Sequence, residues 1–267
     1  MSPVQSAIEA AHAAGQIIRE AVGDGICPPT LTADKKGAVD LVTRIDVACE
    51  TRIREVLEAH HPGVAILGEE GGGAAGAQTR WIVDPIDGTT NFVHGFPSYS
   101  VSIALEEAGQ LTAACIFDPV RDHTYTATRG AGAYCNGQRL SVSTQPALSD
   151  ALLLTGFAYD RREKALFYLK FVRAFLEQSQ GIRRAGSAAM DLAHIAAGRA
   201  DGYWEFNLHA WDVAAGALLV AEAGGRVSAI GGGPLDLGAP HILATNGPIH
   251  DQMSAVIELL WEDGDLT

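Results

Sequence analysis

The sequence lacks any apolar run long enough to cross a bilayer: no stretch approaches roughly 18 residues without a charge or a glycine, so no transmembrane helix is expected. It also lacks a basic start followed by an unbroken apolar segment. Glu9, Arg19 and Glu20 interrupt the first turns of the chain, which argues against a secretory signal. Basic residues are scarce, 19 Lys and Arg against 32 Asp and Glu, for a formal net charge of −13. A protein this acidic repels nucleic-acid phosphates unless a local basic patch compensates, and the sequence has none. The four cysteines (Cys27, Cys49, Cys115 and Cys135) are scattered, with no CxxC pair. They read as free thiols in a reducing compartment. There is no GxxxxGK[ST] loop, no HExxH and no Cys/His cluster of zinc type. Gly71-Gly72-Gly73-Ala74-Ala75-Gly76 fits GxGxxG on paper, but it leads into a strand at Trp81 rather than a helix, which argues against a dinucleotide fingerprint. A soluble, acidic, cytoplasmic protein is expected, with neither nucleic acid nor membrane as partner.

The 267 residues are 47% hydrophobic, enough for one large domain or two subdomains sharing a core. Val4, Ile8, Ala11, Ala14, Ile17, Ile18 and Val22 recur at three- and four-residue steps and predict an amphipathic helix ending at Gly23. A second helix is predicted over 46–60, stopped by Pro62. Short apolar runs at 64–67, 81–83, 100–105, 111–117 and 124–128 predict strands, with a hairpin connection at 106–110. Further on, strands are predicted at 151–155, 203–206 and 242–244, and helices at 163–177, 188–197, 212–223 and 250–262. A strand-rich first half followed by alternating strand and helix predicts layers of sheet and helix, an α/β class in the broad sense. The expected division is an N-terminal α+β subdomain at 1–145 and a C-terminal α/β subdomain at 146–267, acting as one unit.

The most informative stretch is Trp81-Ile82-Val83-Asp84-Pro85-Ile86-Asp87-Gly88-Thr89-Thr90-Asn91. An apolar strand is expected to end at Asp84, where Pro85 stops the ladder. Asp87 follows, and Gly88-Thr89-Thr90 is placed to open a helix. Two carboxylates joined by a proline-stiffened turn can aim at one point, and an all-oxygen cluster suits Mg²⁺. The amides of Gly88 and Thr89 would offer donors to a phosphate oxygen. A bare D-P-x-D also reads as a simple Asp-Pro turn capping a helix. Other acids tip the balance by their number: Glu69 closes the strand at 64–67, Asp212 follows Trp211 at the start of an apolar helix, and Asp40 and Asp46 bracket Leu41-Val42-Thr43 just after Lys35 and Lys36. Taken one at a time, Asp212 is equally a helix N-cap and the others are surface charge. His94 reads as structural, Trp204 and Trp211 as core or wall, and Arg183-Arg184 as phosphate contacts, subunit contacts or a surface ion pair.

Gly68-Glu69-Glu70, Asp84 to His94, Trp211-Asp212-Val213-Ala214-Ala215-Gly216 and Glu222-Ala223-Gly224-Gly225, in this order, resemble the inositol monophosphatase family, and its bacterial inositol-1-monophosphatase branch in particular. Arg183 to Ala189 and Gly198-Arg199-Ala200-Asp201-Gly202 share the likeness. The resemblance implies an αβαβα sandwich of the inositol monophosphatase / fructose-1,6-bisphosphatase type, commonly a homodimer, with two or three Mg²⁺ ions between two subdomains. By motif position, Glu69, Asp84 and the carbonyl of Ile86 hold one ion. Asp84, Asp87 and Asp212 hold a second, and Glu69 helps a third through water. Asp46 and Thr89 match the catalytic pair that orients and deprotonates water, and Gly88 with Thr89 contacts phosphate. Asp87, Asp212, Ser187, Ala188 and Glu205 match substrate contacts, and Lys35 and Asp40 a mobile loop near the site.

The implied activity is Mg²⁺-dependent hydrolysis of a small phosphate monoester, sensitive to Li⁺. Myo-inositol monophosphate is favoured because a carboxylate at Glu205 accepts hydrogen bonds from ring hydroxyls. The alternatives are fructose 1,6-bisphosphate, histidinol phosphate, a 3′-phosphoadenosine nucleotide or NADP, and, in another class, a regulatory scaffold that keeps the fold. The acids argue against the scaffold, since clustered carboxylates repel one another without metal. Asn207 stands at a turn position often held by glycine and is expected to tolerate a left-handed backbone.

Overall fold

The computed structural model describes residues 1–23, 34–35, 41–73, 76–238 and 241–261. Chain order runs α1 (Pro3–Val22), β1 (Asp34–Lys35), β2 (Leu41–Val42), α2 (Arg44–His60), β3 (Ala65–Gly68), β4 (Thr79–Asp87), α3 (Thr89–Val93), β5 (Ser100–Glu107), β6 (Gln110–Asp118), β7 (His123–Thr128), β8 (Gly132–Cys135) and β9 (Gln138–Arg139). There follow β10 (Leu152–Thr155), α4 (Ala165–Gln178), β11 (Gly181–Arg183), α5 (Ala188–Ala196), β12 (Gly202–Glu205), α6 (Ala210–Glu222), β13 (Arg226–Ala229), β14 (Ile242–Thr245) and α7 (His250–Leu260).

The strands β3 to β9 form a seven-stranded sheet in chain order, parallel between β3 and β4 and antiparallel beyond. A five-stranded sheet has the order β11-β10-β12-β14-β13, with β10 parallel to both neighbours and β14 antiparallel to both of its own. Of the predicted apolar stripe of α1, Ala11, Ala14 and Ile18 are buried against α2 and the outer face of the larger sheet, joined by Ala7 and Ala10, while Val4, Ile8, Ile17 and Val22 are partly buried. On the other face, α5 and α6 fill the space between the two sheets, and Leu192, Val213, Leu218 and Leu219 pack with Ile82, Ile116 and Tyr203. Phe167, Phe171 and Phe175 of α4, with Met253 and Ile257 of α7, cover the far face of the smaller sheet around Trp204 and Phe206. The layers therefore run helix, sheet, helix, sheet, helix, which is the αβαβα order that the resemblance implies.

Two local expectations need correction. Pairing does not stop at Asp84: β4 runs to Asp87, with Asp84 opposite Ser102 and Asp87 opposite Ser100 across an irregularity in register. Pro85 falls within that bulge, where a missing N–H costs no ladder bond. Asp212 does not begin its helix. It is the third residue of α6, and its carboxylate accepts from the His209 amide at the N-cap (2.6 Å). Asn207 does adopt the left-handed region (φ 52°). Cys49, Cys115 and Cys135 are free thiols. No described helix is long and apolar enough to cross a membrane.

Candidate active site

The bulge near the C-terminal end of β4 brings Asp84 and Asp87 close to the first turn of α6, which carries Asp212. One carboxylate oxygen from each lies within 4.8 Å of the others. Ser102, opposite Asp84, donates its hydroxyl to the Trp211 carbonyl (3.2 Å), tying that turn of α6 to β5 beside the cluster. Asp84 is folded back so that its Oδ1 accepts from the Ile86 amide (3.0 Å). Asp87 is held by the N-terminus of α5. Its Oδ2 accepts from the Ser187 hydroxyl and the Ala189 amide (2.8 Å), and its Oδ1 from the Ala188 amide (3.2 Å). Partial positive charge at a helix N-terminus suits this arrangement.

Burial pushes Asp84 well above the ordinary carboxylate range, reinforced by the charges of Glu69, Asp87, Asp212 and Asp46. Burial likewise raises Asp212, with Asp87 the leading charge against it. Asp87 is pushed up to about 6 by burial, although the bonds from α5 pull the other way. Three acids this close, each resisting ionisation, are held as carboxylates together only by nearby positive charge. A divalent, oxygen-loving cation fits that donor set. Glu69 follows β3 and falls outside the group of mutually close oxygens, yet its charge reaches both Asp84 and Asp212.

Asp46 is fully buried in the first turn of α2. Its Oδ2 accepts from the Thr43 amide (2.8 Å) and hydroxyl (2.5 Å), one arm of a capping box. Its Oδ1 accepts from the Thr89 hydroxyl at 2.9 Å, while the same hydroxyl lies 3.0 Å from the Ile86 carbonyl. A hydroxyl has one proton, so Thr89 donates to one of these at a time. When it donates to Asp46, the Ile86 carbonyl is left available as a ligand. Burial raises Asp46, against the bonds from Thr43 and Thr89. Gly88 between the two motifs has φ 96°, and an added methyl would lie 3.0 Å from the Ser98 carbonyl, so this turn needs glycine.

A cleft of ≈ 220 Å³ opens from Asp87, Thr89 and Asp212 toward Ser187, Ala188 and Glu205. It is smaller than the roughly 300–1,000 Å³ typical of drug-sized ligands. Glu205 ends β12 and accepts from the Tyr203 hydroxyl (2.6 Å). Burial pushes Glu205 up to about 7, opposed by that hydrogen bond and by Arg184 and Arg161. Gly156 passes so close that an added methyl would lie 2.0 Å from Glu205 Oε2.

The structure thus gathers Asp84, Asp87, Asp212, Asp46, Thr89, Ile86, Gly88, Ser187, Ala188 and Glu205 in one region. Asp40 lies outside the described residues, and Lys35 is described only as backbone pairing with Leu41. The sequence assigns no site role to Thr43, Ser102, Gly156 or Arg161. Only Thr43 carried a legible signal, the Thr-x-x-Asp spacing of a capping box; the others are joined to the site by tertiary contacts.

The inositol monophosphatase family pattern matches residues 1–264. The chain belongs to the inositol monophosphatase family. It is 46% identical over 246 residues to a protein of Pseudomonas aeruginosa named Nus factor SuhB, covering 90% of each chain. It is 43% identical over 254 residues to the inositol-1-monophosphatase of Rhizobium meliloti, covering 94% of each. The solved inositol monophosphatase of Anabaena superposes with a TM-score of 0.86 at 40% identity, over 96% of this chain and 95% of that one. Family and relatives indicate a phosphatase.

Proposed function

We propose that the protein hydrolyses a small polyol phosphate monoester in a Mg²⁺-dependent reaction, with myo-inositol monophosphate as the leading substrate. The observation that carries the reading is the convergence of Asp84, Asp87 and Asp212 oxygens within 4.8 Å, with Asp87 and Asp212 lining a cleft that also holds Glu205. Asp84, Asp87, Asp212, Glu69 and the Ile86 carbonyl would hold two or three ions, with Asp84 shared between two. When bound, Mg²⁺ neutralises the phosphate dianion and makes a water more acidic. Thr89 takes a proton from the attacking water as it passes its own to Asp46, so Thr89 ends as a hydroxyl, Asp46 holds the proton, and a solvent water protonates the leaving alkoxide. The Gly88 and Thr89 amides face the phosphate. Ser187, Ala188 and Glu205 orient the leaving alcohol, with Glu205 accepting from its hydroxyls. Residues 1–145 and 146–267 act together, because Asp212 comes from the second and its partners from the first. By the family resemblance alone, Lys35 and Asp40 would assist near the site. The reading includes a homodimer, supported by Phe96, 53% exposed beside Leu152 and Leu154, and inhibition by Li⁺ in place of one Mg²⁺.

The test is phosphate release by metal-stripped protein, with and without Mg²⁺, from inositol 1-phosphate, fructose 1,6-bisphosphate, histidinol phosphate, adenosine 3′,5′-bisphosphate and NADP. Mg²⁺-dependent release with the highest kcat/KM on inositol 1-phosphate supports the reading. A peak elsewhere keeps the chemistry and replaces the substrate. The Pseudomonas relative is named a Nus factor rather than a phosphatase, which favours a second reading, a regulatory scaffold that keeps the fold. Absence of release from every ester would put that role first.

A further inference from the structure

Asn91 lies in α3, five residues after the bulge at Pro85 and Ile86, and is 9% exposed. Its side-chain amide faces three backbone carbonyls: Ser98 at 2.7 Å, Ala185 at 2.8 Å and Gly186 at 3.3 Å. An amide nitrogen has two hydrogens. Ser98 and Ala185 therefore take them, and Gly186 shares one. The Asn91 backbone carbonyl also accepts from the Phe96 amide (2.8 Å), which folds the loop after α3 back onto the helix. Ala185 and Gly186 lead directly into Ser187, Ala188 and Ala189, the groups that grip Asp87. The segments 87–91 and 185–189 are thus joined twice, through Asp87 on one side of Gly88 and through Asn91 on the other.

From this double joint we infer that Asn91 is a positioning residue: it holds the turn before α5 in place and so fixes the direction in which Asp87 presents its carboxylate. The inference rests on the metal-dependent reading of the site. Asn91 does not line the cleft. It acts on the reaction only through the 185–189 turn. Freed of the clamp, that turn shifts with α5, and the Asp87 oxygens lose their fixed relation to Asp84 and Asp212. Loss of an outer partner to a metal ligand costs about 10–100-fold in metal affinity. The expected signature is therefore a change in Mg²⁺ affinity.

The experiment follows melting temperature against Mg²⁺ concentration for wild type, Asn91→Ala, Asn91→Asp and Asn91→Ser, together with kcat and KM at saturating Mg²⁺. Asn91→Ala and Asn91→Asp, which lack the donors, should raise the half-saturating Mg²⁺ concentration about tenfold or more. Asn91→Ser keeps one donor and should fall between them and wild type. At saturating Mg²⁺, kcat should recover to within about threefold of wild type, since the groups that touch substrate remain. If Asn91→Ala does not fold, Asn91→Ser carries the comparison. Any folded variant that melts earlier while its half-saturating Mg²⁺ stays within twofold of wild type overturns the inference, because Asn91 then serves stability alone. A wild-type protein whose melting ignores Mg²⁺ would instead overturn the reading of the site on which the inference rests.

Discussion

Glu205 offers a stability test that needs neither substrate nor metal. Burial raises this carboxyl from 4.5 to about 7. A buried acid that prefers its proton stabilises the fold fully below its unfolded value, and that stability is lost as pH rises through the folded value. At about 1.4 kcal/mol per unit, the swing from pH 5 to pH 8 is on the order of 2–3 kcal/mol. Glu205→Gln removes the titration and keeps an oxygen to accept from Tyr203. Urea unfolding of metal-free protein at the two pH values, wild type beside Glu205→Gln, measures the difference. Asp84, Asp87 and Asp212 shift in the same direction and remain in both proteins; the Glu205 charge is one cause of the raised Asp212 and Asp191, so their shifts shrink in Glu205→Gln and add to the difference with the same sign. Wild type should lose about 2–3 kcal/mol more than Glu205→Gln on going from pH 5 to pH 8. Equal losses would refute the assignment of a buried, proton-holding Glu205.

Three further substitutions separate the roles assigned to the site. Asp84→Asn removes the most crowded acid without changing its shape, so metal-free protein should melt higher than wild type while turnover falls by orders of magnitude; a lower melting temperature with retained turnover would contradict both statements. Gly156→Ala places a methyl 2.0 Å from Glu205 Oε2, so KM should rise several-fold with the Mg²⁺ response of the melting temperature unchanged; an unchanged KM would show that Glu205 does not meet the substrate. Thr43→Ala removes the α2 cap and one partner of Asp46, costing about 1 kcal/mol in urea unfolding. It should also lower kcat more than KM, and an effect on stability alone would detach Thr43 from the proton relay.

Much of this architecture was legible because periodicity reports burial. The three- and four-residue spacing in α1 and the apolar runs of β5 and β6 have a single way to hide their apolar atoms. No sequence pattern predicts β1, β2, β8, β9, β11 or β13. These are strands of two to four residues at or near sheet edges, and β9 is exposed throughout, so no alternation marks them. The chemistry-bearing acids stood out because carboxylates at strand and helix ends are unusual in number here. What arranges them was not legible: Asn91 reaches residues 94 and 95 positions away, and Ser102 reaches one 109 positions away. Pro85 misled for a related reason. Its local rule ends a ladder, but the bulge around it lets β4 resume pairing at Asp87.

The central claim is that the three clustered aspartates bind Mg²⁺ as carboxylates. Calorimetric titration of Mg²⁺ into metal-stripped protein near pH 6, in two buffers of different ionisation enthalpy, tests it directly. Because Asp84 and Asp212 hold protons well above the ordinary range, binding should release protons and the observed heat should change with the buffer. Asp84→Asn should abolish most of that heat. Binding that is absent in wild type, or that is equal in wild type and Asp84→Asn, would contradict the account.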